Sequence, residues 1–169
     1  DNIQDLNSNS TELVSLSCWA MVRMVSINRA FAQEFVLIGI FNAMSYLIKK
    51  YPFELQNKCI ICLYEIIHCC FTNGFESLLE SNIIELLVDF LQGSIDDILL
   101  RCILIALNDI FHMSIINGFY ADVINHFDMA DGNEAMETIS KRCSPIISEF
   151  ISELYATYNS IASQIENTT

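Results

Sequence analysis

Two Asn-Gly-Phe triplets, at 73–75 within TNGFESLL and at 117–119 within INGFYADV, stand 44 residues apart, and each follows a long apolar stretch with a histidine near its end. Gly after the last turn supplies the left-handed conformation that closes many helices. A stop that returns at a fixed interval constrains the fold more than composition does. The chain is expected to be built of like segments, with Phe75 and Phe119 as the first apolar anchors of the segments that follow. The long stretches carry the 3.6-residue apolar period of helices. Only five Gly and two Pro among 169 residues leave little for the turns of a sheet protein. The expected fold class is all-α.

Helix signals divide the chain further. The opening DNIQDLNSNS is polar and aperiodic and reads as a frayed or disordered start over residues 1–10. Asn9 followed by Glu12 marks an N-cap, and residues 11–28 read as a helix. A second helix is expected over roughly 31–50, ending at KKYP, where Pro52 prevents continuation. A third covers 54–71, closed by Asn73-Gly74. Then come a short helix at 75–81, another at 83–91 with Gly93 as its stop, and a long one from about 97 to 114. Ser94 and Asp96 offer caps for that long helix, and Asn117-Gly118 closes it. DMADGN at 128–133 breaks the chain. Ser144-Pro145 either begins a final helix, Pro being favoured in a first turn, or kinks one long helix. Residues 119–165 are expected to cap the end of the fold.

Sliding the long helices over one another aligns WAMVRMV at 19–25, ICLYEII at 61–67 and IALNDIF at 105–111, in steps of 42 and 44. A period of roughly 40–47 with two or three helices per unit is the signature of helical solenoids. No such unit buries its apolar face alone, so stacking makes the core. The expected domain is therefore a single unit over 11–165, with a partial repeat at 11–28 and repeats at about 31–72 and 75–116. Leu107 and Ile110 should be buried.

The block ESNIIELLVDFLQGSIDDILLRCILIALNDIF at 80–111 resembles an armadillo repeat. Leu86, Leu87, Leu91, Gly93, Asp96, Ala106, Leu107, Asp109 and Ile110 fit the family's apolar second helix, acidic loop and third helix. Residues 35–71 fit less well, because YPFE replaces the usual loop. HEAT repeats are a near neighbour. The resemblance implies a right-handed α-solenoid of armadillo-like repeats, with a helical cap at its C-terminal end. It also implies that third helices line a concave face where extended peptides bind.

Charge narrows the partners. Eight Lys and Arg stand against 21 Asp and Glu, a net charge of −13, and residues 59–100 contain no Lys or Arg. Such a surface repels a phosphate backbone, so nucleic acid is not expected as a partner, whereas a basic protein or peptide is attracted. The longest charge-free apolar stretch, FVLIGIFNAMSYLI at 35–48, has 14 residues. A span needs about 20, so this stretch reads as a buried helix and no membrane insertion is expected. No basic n-region precedes an apolar h-region at the start, and no secretory signal is expected. Seven cysteines, mostly inside apolar helical segments, read as free core thiols of the cytoplasm or nucleus.

Helical spacing sets three aligned stripes on the expected concave face. From them Trp19, Arg23, Ile61, Glu65, His68, Arg101, Ile105, Asp109 and His112 are candidate partner-binding residues. In the importin alpha branch of the armadillo family, Trp followed by Asn four residues later grips cargo. Here Trp19 is followed by Arg23, and Ile61 and Ile105 by Glu65 and Asp109. Arg101, one turn from Ile105, is placed to neutralise Asp109. Cys59 and Cys62 form a CxxC inside a helix rather than at a turn or helix start, the wrong context for zinc or for a redox centre. Phosphate-loop and hydrolase motifs are missing. The expected function is a non-enzymatic protein- or peptide-binding scaffold without cofactor or metal. The alternatives are an importin-alpha-like nuclear transport adaptor for basic cargo and a structural segment of a longer solenoid.

Overall fold

Ten helices, with no strand among the described residues, make up the computed structural model, which describes residues 2–70, 74–94 and 96–166, with side chains from residue 10 to 165. Helix α1 spans Asn2–Ile27, beginning ahead of the start that Asn9 and Glu12 set. Three triplets follow. They are α2 (Ala30–Leu37), α3 (Ile40–Lys50) and α4 (Phe53–Cys69); α5 (Phe75–Glu80), α6 (Ile83–Gly93) and α7 (Asp97–Asn117); and α8 (Tyr120–Met129), α9 (Gly132–Ser140) and α10 (Pro145–Glu166). In each, two helices of 6 to 11 residues precede one of 17 to 22. The stretch expected as a cap, 119–165, carries three helices in the same order. Ser144-Pro145 starts α10 rather than kinking a continuous helix.

The long helices pack in chain order: α1 on α4, α4 on α7, α7 on α10. The middle two are therefore flanked on both sides, which explains their apolar circumference. In α4, Ile60, Leu63, Ile66 and Ile67 are buried; in α7, Leu100, Ile103, Leu107, Ile110 and Phe111 are. Among the described residues α7 is also the one helix long and apolar enough to cross a membrane. In this fold most of its apolar side chains are buried against α4, α6, α8 and α10, while Ile98, Ile115 and Ile116 near its ends are exposed.

Caps and joints explain the breaks. Asp96 Oδ1 accepts from the backbone N–H groups of Ile98 (2.8 Å) and Leu99 (3.1 Å), starting α7 where the sequence signals put it. Gly118, with φ +78, closes α7. Asn73 lies outside the described residues, but Gly74 has φ +91 and begins α5. Phe75 and Phe119 stack on each other, ring centroids 5.6 Å apart and 23° from parallel. The two copies of the triplet therefore meet.

The single helix expected over 31–50 is two. Gly39 takes φ +86, and α2 and α3 meet there at 76°. Leu37 and Ile38 are exposed at that corner, so the apolar run 35–48 is not one buried helix. The same joint in the later triplets is held by Asn82 (φ 56) and Asp131 (φ 58). Asn and Asp adopt this left-handed conformation more readily than most residues.

Two stability outcomes follow from the packing. Leu107 has 0% exposure, and Leu107→Ala is expected to cost roughly 2–5 kcal/mol by chemical denaturation. A loss under about 1 kcal/mol would contradict its burial between packed helices. At Gly74 an added Cβ would sit 2.1 Å from Val36 Cγ1, a methyl of a buried β-branched residue, whereas at Gly118 nothing lies within 4 Å. Both Ala variants bear the left-handed penalty of about 1–2 kcal/mol. Gly74→Ala should therefore lower stability by clearly more than Gly118→Ala, and equal losses would count against the close approach of α5 to α2.

Candidate partner-binding groove

Because α1 and α4 pack side by side, Trp19 and Val22 from one helix face Lys58 and Ile61 from the other. Together with Leu16 and Cys18 they line an open hollow of about 550 Å³. Its wall is mainly hydrocarbon. Trp19, the only tryptophan, is 65% exposed there. At one end the Lys58 ammonium donates to Ser15 Oγ at 2.9 Å, tying the two helices together. A shallower cleft continues beyond that tie, past Glu12 and Glu54.

A second hollow, about 280 Å³, lies where α4, α7 and α10 come together, lined by His68, Ile105, Asn108, Asp109, Phe150 and Glu153 among others. His68 Nδ1 and Asp109 Oδ2 are 2.8 Å apart, joining α4 to α7. Tyr64, one turn before His68, stacks on its imidazole with centroids 5.7 Å apart. Asn108 Nδ2 donates to Glu153 Oε1 at 3.4 Å, joining α7 to α10. The Arg101 guanidinium lies over the Phe150 ring, 5.6 Å from its centroid. The partner that Asp109 meets is therefore His68, and Arg101 is occupied with an aromatic face instead.

The expected binding residues thus fall into two groups and a remainder. Trp19 and Ile61 line the first hollow; His68, Ile105 and Asp109 line the second. Glu65 is half-buried, Arg23, Arg101 and His112 are exposed, and none of these four lines either hollow. Sequence reasoning missed Phe150 and Glu153, because it assigned their helix to an end cap. The signal was available: Phe150 follows Ile105 by 45 residues, as Ile105 follows Ile61 by 44.

A second His–carboxylate contact lies outside the hollows. His126 Nδ1 sits 2.6 Å from Glu85 Oε1, so that α8 is tied to α6. Beneath the first hollow the cysteines of the CxxC turn towards α1. Cys18 Sγ and Cys59 Sγ are 3.9 Å apart, and Cys62 is close enough to act on the same thiol. Hydrogen bonding from Cys59, then from Cys62, holds the Cys18 thiol below its ordinary range against the opposing effect of burial, with help from the Lys58 charge. The Cys59 and Cys62 thiols are pushed up, by that same hydrogen bonding and then by burial. Among the described residues no group of three or more His, Cys, Asp or Glu side chains is arranged to hold a metal ion.

No protein-family model matches this chain, and no curated protein is significantly similar to it.

The exposed Trp19 gives the groove a direct optical readout. Its fluorescence should be red-shifted and strongly quenched by acrylamide in the free protein. Blue-shifted emission protected from the quencher would mean that the indole is packed, not open to solvent.

Proposed function

We propose that this chain is a non-enzymatic scaffold that binds a protein or peptide segment along its long helices, as an armadillo-like, right-handed α-solenoid does on its concave face. The observation that carries the reading is Trp19, an indole left open to water across an apolar hollow between α1 and α4. An exposed tryptophan beside a hydrocarbon-lined hollow is the kind of anchor that dominates binding energy when a partner covers it. The threefold order of two shorter helices and a long one supports the solenoid part of the reading. So does the packing of the long helices in chain order. Carboxylates line the neighbouring hollows: Glu12 and Glu54 in the cleft beside the Lys58–Ser15 tie, Asp109 and Glu153 in the hollow between α4, α7 and α10. The segment that fits is therefore an apolar or aromatic anchor flanked by Lys or Arg, and the free thiols fit a reducing compartment.

One observation favours a second reading, a segment of a longer helical stack. The exposed surface of α1 includes Leu13, Leu16 and Ile27, whereas that of α10 offers Ser148, Glu149, Ser152, Asn159 and Ser160. End units of solenoids need a polar outer face; that of α10 is mostly polar, with Ile146 exposed near its start, whereas α1 exposes several large apolar residues.

The test is a titration of the chain against dye-labelled peptides with an aromatic anchor and flanking Lys or Arg, read by anisotropy. Saturable binding that weakens as salt rises is expected. Trp19→Ala should lose about 2 kcal/mol or more, roughly thirtyfold in Kd. The Glu65→Gln, Asp109→Asn double variant should bind more weakly, with a flatter salt dependence. Equal affinity in wild type and Trp19→Ala would remove the groove as the binding site. Binding by neither, from a chain that self-associates through α1, would favour the stack-segment reading.

A further inference from the structure

We propose that Cys18, at the floor of the hollow between α1 and α4, is a modification site for small hydroperoxides, and that Cys59 is the thiol that resolves it into a reversible disulfide. Three sulfur-bearing side chains from two helices converge here. Cys18 comes from α1, Cys59 and Cys62 come from α4, and the first two sulfurs are 3.9 Å apart. Cys18 is only 3% exposed, yet it lines the hollow. Such limited exposure at an open hollow favours a small oxidant. Lys58 lines the same hollow, and a nearby ammonium favours the thiolate, which is the reactive form. The contrast with the half-buried thiols Cys69 and Cys102 is electrostatic as well. Burial pushes Cys69 and Cys102 up, whereas Cys18 is held down by its hydrogen-bonding neighbours.

The chemistry balances without a bound cofactor. The Cys18 thiolate attacks the terminal peroxide oxygen; an S–O bond forms, the O–O bond breaks, and hydroxide (from hydrogen peroxide) or alkoxide (from an alkyl hydroperoxide) leaves and takes up a proton as water or alcohol. Sulfur is oxidised by two electrons and the peroxide is reduced, giving a sulfenic acid. Cys59 then attacks the Cys18 sulfur. An S–S bond forms, the S–O bond breaks, and the departing hydroxide carries off the Cys59 proton as water. A dithiol reductant restores both thiols by exchange and leaves as its own disulfide. Closing the sulfurs from 3.9 Å to a bond of about 2.05 Å draws α1 and α4 together directly beneath Trp19 and Ile61. The floor of the groove changes shape with the redox state. The thiol chemistry itself stands whether or not any peptide binds above it.

The experiment exposes the reduced full chain to hydrogen peroxide, blocks remaining thiols with N-ethylmaleimide, and maps cross-linked peptides by tandem mass spectrometry. A Cys18–Cys59 link that dithiothreitol removes is expected. In Cys59→Ser, Cys18 should instead accumulate as a sulfenic acid captured by dimedone, and Cys62→Ser should leave the link intact. A third measurement needs no variant. The thiolate fraction of an ordinary thiol rises about tenfold per pH unit below a pKa near ~8.5, so its oxidation quickens over that range. Loss of Cys18 thiol should rise less steeply with pH between about 6 and 8 than that of an ordinary thiol. A Cys18 that stays reduced overturns the proposal. So does a link to Cys62 while Cys59 is present, or a rate that climbs with pH as an ordinary thiol's does.

Discussion

A helix that is apolar around most of its circumference cannot leave one side in water, and the rest of this structure is arranged around that demand. Both α4 and α7 are such helices. Each meets it by taking a long helix on either side and the shorter helices behind. Burial of a Leu or Ile side chain is worth about 1.5–3 kcal/mol, so a row of them outweighs any single polar contact in the fold. The hollows on the surface are a by-product of the same packing. Where two long helices run side by side, their flanks leave a furrow, and its chemistry depends on which side chains edge it.

Polar contacts then fix how one triplet meets the next. His68 reaches forward from α4 to Asp109 on α7, and His126 reaches back from α8 to Glu85 on α6. Both span 41 residues. Arg142, in the turn before α10, donates to the carbonyl oxygens of Gln92 at 2.6 Å and Ser94 at 3.2 Å, groups at the end of α6. These contacts are partly exposed and individually small in energy. Their geometry is specific where the apolar contacts around them are not, so they select a register rather than supply the stability.

Much of the helix order was legible because strong local signals coincide with it. Asp96 and Gly118 bracket α7 as their residue types predict, and Pro145 opens α10. The joint inside each triplet was harder to see. Its left-handed residue is Gly39, then Asn82, then Asp131, three residue types in one conformation. Apolar residues on both sides of Gly39 also imitate a continuous helix. The third triplet was hidden for a related reason: α8 and α9 are less apolar than α5 and α6, so they read as a cap. The site was legible in part. Helical spacing set Trp19 in register with Ile61, and Glu65 with Asp109, but it could not reveal that Asp109 pairs with His68 instead of Arg101. That choice depends on how the neighbouring helix is rotated, which no periodicity within one helix encodes.

The stacked rings of Phe75 and Phe119 carry a consequence for how the molecule comes apart. Each ring belongs to the first residues of a different triplet, so neither triplet can melt without stripping its neighbour's aromatic partner. Where such stacking adds about 0.5–1.5 kcal/mol beyond area burial, loss of one triplet lowers the barrier for the next. Denaturation should then spread inward from an end as a travelling boundary, and an isolated middle triplet would not open while its neighbours stay intact. In a stack joined only by greasy contact the boundary could pause anywhere. Here the ring pair makes the junction between the second and third triplets a coupling point, so those two should yield together.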